Sequence, residues 1–389
     1  MSDLSRRDFV RMCLAAGAGC VAGSLATITG GCTRRQIGDL PRGIAGGDRI
    51  GPAAGVANAD NGFEPGYVAL HRTGELKRRG ERLWDRMRAC QLCPRRCMVD
   101  RIDGTPGFCQ ASSDLVISGA QPHFGEERPL VGRGGSGTIF FSHCALRCVF
   151  CINYDVSLEG RGRNRSVENL AGMMLDLQRR GCSNINVVTP THYAAHIFLA
   201  LDMASAEGLR LPLVYNTCGW ELPEIMDTLD GVVDIYLPDF KYAFEEMAVR
   251  YSTLTPPDFE ERQPEVAARF TRTDQYPEVT GNAFIEMNRQ VGVARPGPDG
   301  LVTRGLMARH LVMPGEEGVE NGIAVVEWIA QNLPKDTYLN IMSQYTPMYR
   351  AFDYPEISRR LRPDEYDRVV TAAVDAGLTN LDIQGHPAG

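Results

Sequence analysis

From residue 138 onward the chain alternates two patterns. Short, almost continuously apolar runs are followed by longer stretches whose apolar residues recur every three or four positions. The short runs are "TIFFSHC" (138–144), "NINVVT" (184–189), "LPLVYNT" (211–217), "VVDIYLPDF" (232–240), "TRGLMARHLVMP" (303–314) and "TYLNIMSQY" (337–345). Runs apolar on both faces are the mark of strands buried in a parallel sheet. Between and after them, helical spacing is seen in 166–181, opened by Ser166 and Glu168, and in 192–208, 221–230, 244–252, 264–291, 322–333 and 363–377. Strands that alternate with helices predict an α/β fold with a parallel sheet under helices. Six units fit between 138 and 380, which predicts an incomplete, TIM-like (β/α)6 barrel. Functional groups in such folds gather at the C-terminal ends of the strands.

The pattern divides the rest of the chain. Residues 67–136 form a cysteine-rich N-terminal extension to the barrel of 137–389. Residues 33–66 are rich in Gly, Pro, Ala and Asp without periodicity and read as a flexible linker. The first 32 residues carry Arg6–Arg7, then Asp8-Phe9-Val10 and a weakly apolar run of small residues, and resemble a twin-arginine export signal. Cys32 follows Thr29-Gly30-Gly31, where a lipid-attachment site would usually carry Leu in place of Thr29. The N-terminus therefore predicts export or a membrane tether.

Composition narrows the class. With 43% hydrophobic and 23% charged residues the chain is globular, and a net charge of −7 argues against a nucleic-acid binder that depends on phosphate contacts. Twelve cysteines change the picture more. Outside the first 32 residues there are nine, an odd number that a pure disulfide framework cannot absorb. They divide as Cys90, Cys93, Cys97 and Cys109, then Cys144, Cys148 and Cys151, with Cys182 and Cys218 alone as packing thiols.

The triplet C-x3-C-x2-C begins where the first strand ends. Three thiolates leave a metal centre with an open position, where a substrate or cofactor binds. Zinc with His143 as a fourth ligand is the competing reading, opposed by strand alternation, which points neighbours to opposite faces. The four upstream cysteines suffice for a closed tetrahedral zinc site or a second [4Fe–4S] cluster, and both stay open.

With Phe150 before its last cysteine and a βα series after it, the triplet resembles that of the radical S-adenosylmethionine (SAM) enzymes. More narrowly, "CQLCPRRCMVDRIDGTPGFC", "GSGTIFFSHCALRCVFC", "NINVVTPTH", "VDIYLPDFKY", "RHLVMPG" and "MSQYTP" are similar to the pyruvate formate-lyase activating enzyme-like branch. The resemblance implies a [4Fe–4S] cluster on Cys144, Cys148 and Cys151, with SAM on its fourth iron. It also implies one-electron cleavage of SAM to a 5′-deoxyadenosyl radical and an electron donor of the flavodoxin or ferredoxin type. The radical would modify a protein or peptide, by glycyl-radical formation in an activase. A small-molecule or lipid target, and a non-catalytic iron–sulfur electron carrier, are the alternatives.

Where the family usually carries Gly-Gly-Glu after the second strand, this chain has Thr189-Pro190-Thr191-His192, so Thr189 and Thr191 are expected to meet the SAM amino group without an acid. "YNTCGW" resembles the activating enzymes' Asp-Thr-Asn-Gly turn with Asn216 for the aspartate, and "PDFK" their Asp-x-Lys motif, through Asp239 and Lys241. Those motifs imply a monovalent cation beside the SAM carboxylate; a surface ion pair is the plainer reading of Asp239 and Lys241. His192 as a helix cap, one of Arg309 and His310 facing inward, and Gln344 and Tyr345 near substrate complete the candidates. So does the run His123, Glu126, Glu127, which matches the family's His-x-x-Glu-Glu. "GRGGSG" (132–137) precedes its strand and reads as a turn. The two halves of the reading pull apart on location: the N-terminus points outward, while SAM and its reductant are cytosolic.

Overall fold

The computed structural model describes residues 62–385, except 253, 257–258, 263 and 265–272. Residues 57–389 fall in a unit separate from 1–56. The twin-arginine stretch, Cys32 and nearly all of the expected linker lie outside the described residues.

The second unit is built on one nine-stranded sheet. Its strands are β1 (Leu115–His123), β2 (Ser136–Phe141), β3 (Arg163–Arg165), β4 (Ile185–Val188), β5 (Leu213–Thr217), β6 (Ile235–Pro238), β7 (Gly305–Leu311), β8 (Tyr338–Met342) and β9 (Leu381–Ile383). They lie in the order β3-β1-β2-β4-β5-β6-β7-β8-β9. From β2 through β9 every neighbour is parallel, whereas β1 is antiparallel to both β2 and β3. All six expected strands are present, and no pairing joins β3 to β9 among the described residues, so the sheet is open. β1, β3 and β9 are additions to the expected pattern. Gly119 and Pro122 interrupt the apolar alternation of β1, and its register with β2 slips between Ile117 and Gly119. The other two have three residues each.

The helices follow the periodicity with shifted ends. Val167–Arg179 is capped by Ser166, whose hydroxyl accepts from the Asn169 amide while the Asn169 side chain returns the bond; Asn169, not Glu168, completes the box. The helix expected at 322–333 starts earlier, at Glu316, directly after Gly315 with φ +90°. Of the stretch 264–291, residues Tyr276–Val291 form one helix.

The cysteine-rich segment is packed into the body of the fold. Helices Gly66–Arg72 and Glu75–Asp85 lie against helix Ala194–Ala206, and Asp234 accepts from the Gly66 amide. Cys90, Cys93, Cys97, Cys109 and Phe108 share one buried cluster with β2, β4 and the helices outside them. Because β2 and β4–β8 are parallel, the loops after them emerge on one side. That side collects 142–144, 189–192, 218–221, 239–241, 312–314 and 343–345.

Candidate metal and active site

The triplet loop leaves β2 sooner than expected. The strand ends at Phe141, and His143 and Arg147 take left-handed φ of +72° and +56°. Such backbone costs about 1–3 kcal/mol at non-glycine residues and persists only where surroundings enforce it. Here the loop is tied on all sides. The His143 amide donates to Val156 O (3.0 Å), the Val149 amide to Tyr251 O (2.8 Å), and Arg147 Nε to Leu254 O (2.7 Å). Arg95 reaches in from the cysteine-rich segment, with Nε on Ala145 O (3.0 Å) and Nη2 on Leu146 O (3.4 Å). His143 is thus a turn residue whose ring abuts Gly160, and strand alternation does not govern it.

All three cysteines are free; Cys148 is buried and Cys144 and Cys151 half-buried. The Ser252 hydroxyl donates to Cys148 Sγ (3.1 Å), and Ser157 Oγ lies 3.0 Å from Cys151 Sγ. Burial pushes the Cys148 thiol up, and the Cys151 thiol up to about 12. Bare, these groups stay neutral; a bound metal centre would supply the positive charge that ionises them. The donor set fits a [4Fe–4S] cluster with one iron left open: three sulfurs, hydroxyl groups turned toward two of them, and no acid in the loop 142–151. Phe150 packs at 5.9 Å from the Tyr345 ring and 6.5 Å from Tyr242, walling the loop with aromatic surface.

The neighbouring loops bring the other candidates to the same side. Thr189 adopts φ +59°, and its amide donates to Asn216 O (2.9 Å), joining the ends of β4 and β5. Thr191 Oγ1 donates to Glu221 Oε1 (2.6 Å), and Thr217 Oγ1 donates to the same oxygen (2.5 Å). Glu221 was not among the sequence candidates. It is 1% exposed, and burial pushes its carboxyl up to about 7. The signal was an acid four residues past Thr217 that reads as the start of the next helix; that helix begins only at Pro223. The acid absent from the β4 loop is therefore supplied to Thr191 from the β5 loop.

Asp239 and Lys241 do pair, Nζ to Oδ2 at 2.7 Å, but with side chains only 17% and 16% exposed this is no surface pair. Asp239 Oδ1 accepts from Arg309 Nε (2.8 Å), and Asn216 Oδ1 accepts from Arg309 Nη2 (2.6 Å). The two oxygens that the resemblance assigns to a monovalent cation both face a guanidinium. Arg309 Nη1 lies 3.7 Å from Glu126 Oε2 and 4.0 Å from Glu127 Oε1, and Glu127 Oε1 accepts from Asn340 Nδ2 (2.9 Å). The His-x-x-Glu-Glu run thus joins the same charge network, with His123 Nε2 at 3.9 Å from Glu126. Of the adjacent pair on β7, Arg309 faces this network, and His310 turns to Phe240 O (Nδ1, 2.7 Å) and Gly322 of the covering helix.

The remaining candidates separate. His192 lies in a single 3-10 turn and bonds Ser142 O through Nε2 (2.8 Å), tying the β4 loop to the triplet loop. Tyr345 donates to Ile357 O (2.7 Å) and its ring faces Phe150, while Gln344 is exposed. Gly134 sits in the turn before β2, where an added Cβ would lie 1.7 Å from Gly181 O. Cys182 is buried packing; Cys218 is within electrostatic reach of Cys144, Glu221 and Lys241.

Comparison with known proteins bears on the same residues. Residues 138–263 match the family model described as the Radical SAM superfamily, a stretch that begins in β2 and includes Cys144, Cys148, Cys151, Asn216, Asp239 and Lys241. An uncharacterized protein of Methanocaldococcus jannaschii is 29% identical over 292 residues, covering 73% of this chain and 74% of that one. Among solved structures, SuiB of Streptococcus suis bound to its precursor peptide SuiA aligns at 12% identity and TM-score 0.37, over 63% of this chain and 46% of SuiB. SuiB bound to S-adenosylmethionine aligns at 12% identity and TM-score 0.38, over 63% and 48%. The chain spans about half the length of these solved structures.

Proposed function

We propose that this protein is a radical SAM enzyme whose target is a protein or peptide, with formation of a glycyl radical as the reaction suggested by its likeness to the activating enzymes. One observation carries the proposal. A C-x3-C-x2-C loop leaves the first parallel strand on the side where the loops of β4, β5, β6 and β7 converge. The match of 138–263 to the superfamily supports it.

Cys144, Cys148 and Cys151 would hold the [4Fe–4S] cluster by three corners. When bound, cluster and SAM supply one-electron cleavage of the sulfonium and a 5′-deoxyadenosyl radical for hydrogen abstraction. The chain's own contribution is positional and electrostatic. Glu221 takes the hydroxyl protons of Thr191 and Thr217 as hydrogen bonds, which fixes those oxygens with their lone pairs free to accept from a ligand's ammonium group. Arg309 and Lys241 place two positive charges on either side of Asp239, where a ligand carboxylate would be held. Phe150, Tyr242 and Tyr345 give the loop an apolar wall that keeps water from a reactive radical.

Anaerobic reconstitution with iron and sulfide, followed by SAM and a low-potential reductant, is the test. The expected result is 5′-deoxyadenosine from the wild type and none from Cys144→Ala/Cys148→Ala/Cys151→Ala protein. Iron-loaded wild type whose spectrum does not respond to SAM would refute the reading.

A further inference from the structure

Arg147, the residue before the middle cysteine of the triplet, has a side chain that the packing of the loop does not explain. It is 4% exposed. Its Nε donates to Leu254 O (2.7 Å), and its Nη1 is buried without a hydrogen-bond partner. Among the described residues it forms no ion pair with a carboxylate. The groups within its electrostatic reach that can carry negative charge include Cys144, Cys109, Tyr349 and Cys151. Arg95, 1% exposed, lies near enough to repel it. The bonds of Arg95 to Ala145 O, Leu146 O and Ser252 O bring no negative charge into the loop. Two buried guanidinium groups therefore sit against the same three cysteines.

Holding Arg147 there is unfavourable on two counts. A φ of +56° crowds the Cβ of any residue but glycine, and a buried cation without an anion gives up its hydration for no Coulombic return. Burial accordingly holds the guanidinium below its ordinary pKa. Neither cost is offset among the described residues, which leaves a group that joins the loop on loading. The donor set of the triplet fits that group as the [4Fe–4S] cluster.

A fixed positive charge favours whichever oxidation state of its neighbour is more negative. Held by three thiolates, an oxidised [4Fe–4S] core is a net anion, and its one-electron-reduced form is more negative still. In surroundings of low dielectric, a buried guanidinium stabilises the reduced form more than the oxidised one. The same charge that destabilises the empty loop therefore makes the loaded loop easier to reduce.

We infer that Arg147 is the buried counter-charge of the triplet cluster, raising its reduction potential so that a low-potential one-electron carrier can reduce it. In that step the cluster gains one electron and the carrier loses one, with no bond made or broken and no proton moved. The inference rests on the radical SAM reading and adds to it a residue that sets how readily the centre accepts its electron.

Arg147→Met and Arg147→Lys in the full chain decide it. Both keep the φ penalty and lose the guanidinium bond to Leu254, and only lysine keeps the charge. In the cluster-free chain, Arg147→Met is expected to melt at or above wild type despite the lost bond. After anaerobic reconstitution, the reduced-state paramagnetic resonance signal that changes on addition of SAM reports the triplet. In Arg147→Met the affinity of that centre for the electron is expected to fall about tenfold, which for a one-electron couple is a potential about 59 mV lower. Arg147→Lys should stand between the two. A triplet that loses its cluster in Arg147→Met and keeps it in Arg147→Lys supports the same assignment. Cluster-free Arg147→Met that melts below wild type, a loaded Arg147→Met with the wild-type potential, or an Arg147→Lys no better than Arg147→Met overturns it. Each of those failures leaves the wild-type response to SAM intact, whereas loss of that response in wild type is the failure of the proposed function.

Discussion

Arg309→Met tests the charge network in isolation, because methionine keeps much of the length and removes the guanidinium. Arg309 is buried on β7. It bonds Asp239 Oδ1 at 2.8 Å and Asn216 Oδ1 at 2.6 Å, with the Glu126 and Glu127 carboxylates at 3.7 and 4.0 Å. Deleting one partner of a buried ion pair costs about 3–5 kcal/mol, because the remaining charge stays out of water. At about 2 °C per kcal/mol for a chain of this size, the melting temperature should fall by roughly 6–10 °C. The functional consequence is more specific. With Arg309 in place the Asn216 and Asp239 oxygens already face a positive charge, so wild-type SAM binding should be the same in sodium, potassium or choline chloride at constant ionic strength. In Arg309→Met, binding should recover only with a small monovalent cation. Calorimetric binding and thermal denaturation in the three salts read both outcomes. Wild-type binding that vanishes in choline, or a variant that melts with wild type, would refute the assignment of that seat to the guanidinium.

Other substitutions probe neighbouring features. Glu221 has a folded pKa raised to about 7, so its contribution to stability is complete below the unfolded carboxylate pKa and is lost as pH rises through about 7. Cofactor-free wild type should therefore lose up to about 3 kcal/mol relative to Glu221→Gln between pH 4.5 and 8; parallel denaturation curves would contradict the buried acid. Gly219→Ala places a Cβ 2.7 Å from Asp239 O at a φ of +77°, which should cost about 1–3 kcal/mol and displace the β5 and β6 loops. Its signature is weakened SAM binding with the iron content intact. Leu339→Ala, at a fully buried position on β8, should destabilise by about 2–5 kcal/mol in urea denaturation without changing cluster loading.

Much of this was legible in the residues, and the rest failed for identifiable reasons. The six buried parallel strands carry runs of Val, Ile, Leu and Tyr that no surface element would use, so β2 and β4–β8 could be placed within a few residues. β1 could not, because an antiparallel strand holding Gly119 and Pro122, covered on its outer side only by the three-residue β3, lacks both continuous apolarity and alternation. The triplet was recognisable since spacing alone carries it. His143 was misjudged because a left-handed turn begins where the apolar run still reads as strand. Glu221 was harder: it belongs to no motif, and its role, like the choice of Arg309 over His310 in "RHLVMPG", depends on which strands and loops become neighbours across the sheet.

That adjacency accounts for the two departures from the pattern that the resemblance implies. The β4 loop lacks an acid beside Thr191, and the β5 loop carries Asn216 where a charge is expected. β5 pairs directly with β4, with Asn216 opposite Val188, which brings Glu221 of the β5 loop within 2.6 Å of Thr191. β7 pairs with β6, with Arg309 bridged to Asp239, and its side chain reaches across to Asn216 on β5. An aspartate at 216 would draw the guanidinium closer but add a second anion beside Asp239; the neutral amide accepts the same hydrogen bond at no such cost. In a parallel sheet the ends of adjacent strands are about 5 Å apart, well within the reach of a glutamate or arginine side chain. A missing charge on one strand can therefore be supplied from the next. The Thr191–Glu221 and Asn216–Arg309 pairs should then behave as units: Thr191→Val combined with Glu221→Gln should cost no more SAM affinity than the worse single change. Full additivity of the two losses would mean that the carboxylate acts elsewhere.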